Sequence, residues 1–143
     1  MVIVVPGRPV AADAIPARWQ GEWETDSGYR CTFELTLAVD PNGVIDGVFR
    51  WTLRDAPRTS TQHERIGQSG NEWVRGAFDP QSRQLTLVGY AVDAPKLLVA
   101  DRYVLVIDAA GSSFSGKSEG EGGRWADRLR ARVVPTPEPD ADG

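Results

Sequence analysis

The chain has 143 residues and a formal net charge of −4, long enough for one domain with a proper core. Its arginines and acids are interspersed, so no broad basic field offers itself to nucleic acid. Cys31 is the only cysteine and His63 the only histidine, which excludes an internal disulfide, a thiolate metal cluster and a multi-histidine metal site within one chain. No metal and no cofactor are therefore expected. The opening "MVIVVPGRPV" has a short apolar run, no leading Lys or Arg and an early proline. It reads neither as a signal peptide nor as a membrane span, so a cytoplasmic protein with no membrane partner is expected. Arginine far outnumbers lysine, a usage compatible with a GC-rich bacterial genome.

Residues 1–17 read as an N-terminal arm, whose interval 12–19 has room for one short turn. Strand alternation begins at "WQGEWETDSG": odd positions Trp19, Gly21 and Trp23 share one face, and Gln20, Glu22 and Glu24 share the other. A glycine between two inward rings leaves space for a neighbouring strand. "YRCTFELTLAVD" keeps the same parity, with Cys31, Phe33, Leu35 and Leu37 inward. After the turn signal "DPNG" comes "VIDGVFRWTLRD", with Ile45, Gly47, Phe49, Trp51 and Leu53 on one face. The polar stretch 55–70 follows, then "NEWVRGAFD", the turn "PQSR", "QLTLVGYAVD", "DRYVLVID", "SFSGKSEG" and "RWADRLRARVV". No segment has the pattern of a long amphipathic helix.

Eight up-and-down strands with one apolar face predict an all-β chain closing as an eight-stranded antiparallel barrel over residues 18–134. The main rival is a two-sheet sandwich. Closure has a charge signature: Arg124, Arg128, Arg130 and Arg132 lie outward on the last strand, and Glu22 and Glu24 outward on the first. An arginine row is otherwise a solvated face or an anion site. The tail 135–143, "TPEPDADG" after Pro135, is acidic and proline-punctuated, and reads as a flexible terminus or linker stub.

At Gly21, Glu22 and Trp23 the chain resembles the calycins, the lipocalin, fatty-acid-binding and avidin barrels that begin with Gly-x-Trp. The resemblance implies a barrel and a cation from the last strand (Arg128, Arg130 or Arg132) packed over Trp23. Neither the avidins' ligand set nor the lipocalins' cysteine pairs can be matched. The stretch from "ERIG" through "DRY" is also similar to a β module of bacterial multidomain signalling and defence proteins.

Function, on this reading, belongs to one end of the barrel. The connections at 26–28, 55–70, 93–100 and 120–123 share that end and include the two long ones. Trp23, Tyr29, Trp51 and Trp125 sit at strand ends facing it, and Glu72 and Asp127 lie on inward parity. Together they form a candidate ligand-binding set, an aromatic mouth with a few polar groups. The alternative is plain core: aromatics fill eight-stranded barrels, and a buried acid needs only a hydrogen-bond partner. A partner-facing set lies in the loops: Arg58, His63, Arg65, Leu97 and Leu98, the two leucines also being able to tuck over the mouth as a plug. The 55–70 stretch has one sizeable aliphatic anchor, Ile66, and is expected to be mobile and open to a protease. No catalytic constellation is legible, and no enzyme is expected. Two functions remain: an interaction or regulatory module acting on a protein partner through long loops and termini, and a binder of a small apolar or aromatic ligand in the mouth. Heavy occupation of the interior by tryptophan favours the first.

Overall fold

The computed structural model describes residues 15–119 and 127–135. It is all-β: β1 (Arg18–Thr25), β2 (Arg30–Val39), β3 (Ile45–Asp55), β4 (Ser69–Asp79), β5 (Gln84–Val92), β6 (Arg102–Ile107), β7 (Ser113–Ser118) and β8 (Asp127–Val133). Each strand pairs antiparallel with the next, and β8 returns to β1, so the sheet is a closed up-and-down barrel and not a sandwich. Period-two alternation produces this directly. On β2, Cys31, Phe33, Leu35 and Leu37 are buried, and on β3 Ile45, Phe49, Trp51 and Leu53 join them.

The closing seam is decided by register and by one glycine. Glu22 stands opposite Arg130 and Glu24 opposite Arg128, with Arg130 Nη2 2.8 Å from Glu22 Oε1 and Arg128 Nε 3.5 Å from Glu24 Oε1. These pairs are solvent-exposed and contribute modestly, about 0.2–1 kcal/mol each. Gly21 faces Ala131 so closely that a Cβ there would lie 2.1 Å from the Arg130 carbonyl oxygen. The glycine between the two tryptophans is thus where β8 approaches. Arg124 lies outside the described residues.

Those tryptophans serve opposite ends of the barrel. Trp19 is fully buried at the end with the short turns, packed 4.9 Å from Phe114 and donating its Nε1–H to the Pro16 carbonyl at 2.9 Å. Trp23 is partly buried at the other end. Between them Phe33, Phe49, Trp51 and Tyr103 form a continuous aromatic stack, with Phe49 and Trp51 nearly parallel at 4.7 Å. Leu35, Leu87, Leu105 and Leu129 complete the interior on the expected parity. At the short-turn end, Arg83 adopts φ of 62°. Its guanidinium donates to the Ile107 carbonyl at 2.9 Å and to the Asp108 carbonyl, which holds a conformation that few side chains adopt unaided.

The long polar stretch differs from expectation. Ser69 and Gly70 already belong to β4, and Thr61–Arg65 form a 3₁₀ turn capped by Ser60, whose hydroxyl accepts the Gln62 N–H at 3.0 Å. The stretch is anchored by hydrogen bonds more than by apolar area. Gly67 N–H donates to the Leu53 carbonyl at 2.7 Å, and the His63 ring bonds the carbonyl of buried Ala56 at 2.8 Å. The short turn expected within 12–19 is not found at 15–19, where the described part has no helix.

Candidate functional site

Two inward carboxylates organise the end of the barrel that carries the long loops. Asp127 opens β8 and is almost fully buried. Its Oδ2 accepts the Trp23 Nε1–H at 2.6 Å, and it also accepts from the Ser118 amide and hydroxyl. This corrects the expected cation over Trp23. Arg128, Arg130 and Arg132 occupy the outward register of β8, whereas Trp23 points inward opposite Leu129. Parity puts the ring and those guanidinia on opposite faces of the sheet.

Glu72 is the deeper of the two, 1% exposed. Its Oε1 accepts the Trp51 Nε1–H at 2.9 Å and the Tyr103 hydroxyl at 2.6 Å, and its Oε2 accepts the Asp101 amide at 2.9 Å. Burial pushes this carboxyl above the ordinary glutamate range, against the pull of those three donors. The backbone makes the room. Register shifts between Trp73 and Val74, bringing Gly89 opposite Val74. A Cβ on Gly89 would lie 2.1 Å from Glu72 Oε2. Tyr103 is pushed well above its usual range by burial and by the neighbouring Glu72, so it remains a neutral donor.

Above these carboxylates a pocket of about 230 Å³ remains open at the mouth. Trp23, Tyr29, Trp51 and Tyr103 are its aromatic walls, and Gln62, Glu72, Asp101 and Ser118 its polar ones. Leu97, Leu98 and Val99 close one side. The loop carrying them turns tightly, with the Leu97 and Leu98 amides both donating to the Ala94 carbonyl at 2.9 and 2.8 Å. Both leucines pack against the core, while Val99 is 81% exposed. Cys31 and Leu53 complete the wall, and burial pushes the Cys31 thiol up to about 12, so it remains protonated at neutral pH. A larger hollow of about 1220 Å³ runs over the outer face of the seam. Its lining includes the outward Glu22, Glu34, Arg50, Arg54, Arg130 and Arg132, of which Glu22 and Arg130 pair across the seam.

Of the residues singled out in the sequence, Trp23, Tyr29, Trp51 and Glu72 therefore line one pocket, with Leu97 and Leu98 beside them. Asp127 stands one hydrogen bond behind, on Trp23. Trp125 lies outside the described residues. Arg58, His63 and Arg65 do not line the pocket. Arg58 is exposed, His63 turns back to Ala56, and Arg65 reaches the Thr61 carbonyl at 3.5 Å. Gln62, Asp101 and Ser118 were missed as site residues. Ser118 and Gln62 give no signal in alternation, because their places depend on the end of a strand and the fold of a loop.

No protein-family model and no curated protein matches this chain. The barrel agrees in strand number and order with what the calycin resemblance implies, and that agreement is one of architecture. Among the described residues no helix is long and apolar enough to cross a membrane.

Proposed function

We propose that the barrel binds a small, compact ligand in its mouth and performs no chemistry on it. The observation that carries this reading is the pocket of about 230 Å³ over a filled interior, bounded by four aromatic side chains and two carboxylates. This reading puts first the ligand binder, which the sequence ranked behind an interaction module. Tryptophan does occupy the interior, but the aromatic stack ends below the mouth. A catalytic acid–base pair gains no support from Glu72 and Asp127, because each is held by several internal donors. The chain's likeness to a calycin-type binder, acting in the cytoplasm, belongs to the same proposal.

Cys31 makes the test internal to the protein, since its buried thiol lies on the pocket wall. A ligand that fills the pocket is expected to slow reaction of this thiol with a small alkylating reagent at alkaline pH, where some thiolate forms, and to alter the emission of Trp23 and Trp51. If no member of a panel of single-ring amines, alcohols, acids and hydrocarbons does either, the reading is wrong. The interaction-module reading has one observation of its own: Val88, Tyr90 and Val106 are exposed on the outer faces of β5 and β6. On that reading a protein partner would dock on the barrel wall and not on the long loops. Val88→Asp with Val106→Asp would then abolish partner binding without changing the Cys31 rate.

A further inference from the structure

We infer that the mouth pocket selects a small organic cation, an ammonium group carried on a compact apolar or aromatic body. This rests on the ligand-binding reading and adds the chemical class.

Among the described residues the charge on the lining has one sign. Glu72 and Asp101 face the pocket, Asp127 lies directly behind Trp23, and no described Lys, Arg or His lines it. Hydrogen-bonding capacity points the same way. The Trp23 indole donates to Asp127, the Trp51 indole and the Tyr103 hydroxyl to Glu72, and the Tyr29 hydroxyl to Ser60. Gln62 Nε2 donates to the Lys96 carbonyl at 2.9 Å, which fixes the orientation of that amide, because a flip would set two carbonyl oxygens together. Gln62 Oε1 is then left buried with no hydrogen-bond partner. A buried orphan acceptor is costly, and because Gln62 lines the pocket a ligand N–H that reached this oxygen would offset the cost. Among the described residues, what the lining offers is therefore acceptors, two of them on carboxylate side chains, with its strong side-chain donors already engaged.

The rings supply the remaining complement. Trp23 and Trp51 meet at 72° with centroids 6.4 Å apart, forming two steep walls of a corner. Ammonium groups are attracted to such aromatic faces, most strongly to tryptophan. An inorganic cation fits less well, since among the described residues no three of His, Cys, Asp and Glu converge as ligands. Burial pushes the carboxyls of both Glu72 and Asp101 above their ordinary ranges, a penalty that a bound cation offsets. Size narrows the body. A cavity of about 150 Å³ holds benzene, so about 230 Å³ accommodates one ring with a short amine arm.

The test titrates the full chain with benzylamine, benzyltrimethylammonium, benzyl alcohol and benzoate, following tryptophan emission and heat of binding. At least one of the two cations is expected to bind about tenfold or more tighter than benzyl alcohol, and benzoate not at all. Binding of the alcohol or benzoate as tightly as both cations overturns the cation assignment while leaving the pocket reading intact. Binding by none of the four, with the Cys31 rate unchanged throughout, overturns both. Glu72→Gln should reduce the cation-to-alcohol ratio severalfold. Should that buried change prevent folding, Asp101→Asn near the mouth carries the same expectation. A folded variant with an unaltered ratio at either position counts against the proposal.

Discussion

Glu72 shows how a single side chain can organise one end of a barrel. A carboxylate 1% exposed would be very costly without partners, and Trp51, Tyr103 and the Asp101 amide provide them from three different segments. Gly89 is the silent member of this group. Gly89→Ala would place a methyl 2.1 Å from Glu72 Oε2, and the carboxylate would have to leave its donors. The expected cost is about 1–3 kcal/mol from overpacking, with more from any donor left unpaired. A urea denaturation midpoint close to wild type would show that the glycine is not needed for Glu72. Inward parity of Glu72 was legible in "NEWVRGAFD". Its relation to Gly89 was not, because a register shift intervenes between the two strands.

Among the elements, the β1–β8 seam separates charge from shape. The Glu and Arg rows announced this pairing in the sequence, yet their side chains are solvent-exposed, where such pairs contribute little. Gly21 was read as room for a neighbour, and β8 is that neighbour, its Arg130 carbonyl 2.1 Å from where a Cβ would stand. A double-mutant cycle on Glu22 and Arg130 should give a coupling of about 0.2–1 kcal/mol. Gly21→Ala should cost more than that whole coupling, because a backbone carbonyl cannot swing aside as a side chain can. A larger loss from the charge pair than from Gly21→Ala would reverse this ranking. The 56–68 connection gives the opposite lesson. Counting its apolar anchors predicts looseness, and the structure adds anchors such a count does not register: buried Ala56, the Ser60 cap and the Gly67–Leu53 bond. Hydrogen bonds between a loop and distant backbone leave no compositional trace.

At the scale of the molecule, closure makes the first and last strands depend on each other. β8 covers Gly21 of β1 and supplies Asp127 to Trp23 and Leu129 to the core. Removing residues 127–143 leaves two unpaired strand edges and a tryptophan without its acceptor. The truncated chain is expected to lose cooperative thermal unfolding and to show red-shifted tryptophan emission. A sharp transition with native-like emission would mean that seven strands suffice and that the seam is an accessory.

Strand order, inward parity, the closing pair and the two ends of the barrel were all determined by the sequence alone. The physical reason is that side-chain alternation and turn chemistry act over a few residues and can be read locally. Even four of the six candidate residues, Trp23, Tyr29, Trp51 and Glu72, which line the pocket, followed from parity and distance to a strand end. The tertiary structure alone decided that these residues enclose an open pocket, that Asp127 stands behind it, and that Gln62 is left with an unanswered acceptor. Such features depend on where a bulge shifts the register and on which donors long-range contacts have already taken. Each polar atom has several possible partners along the chain, and only the folded geometry selects among them.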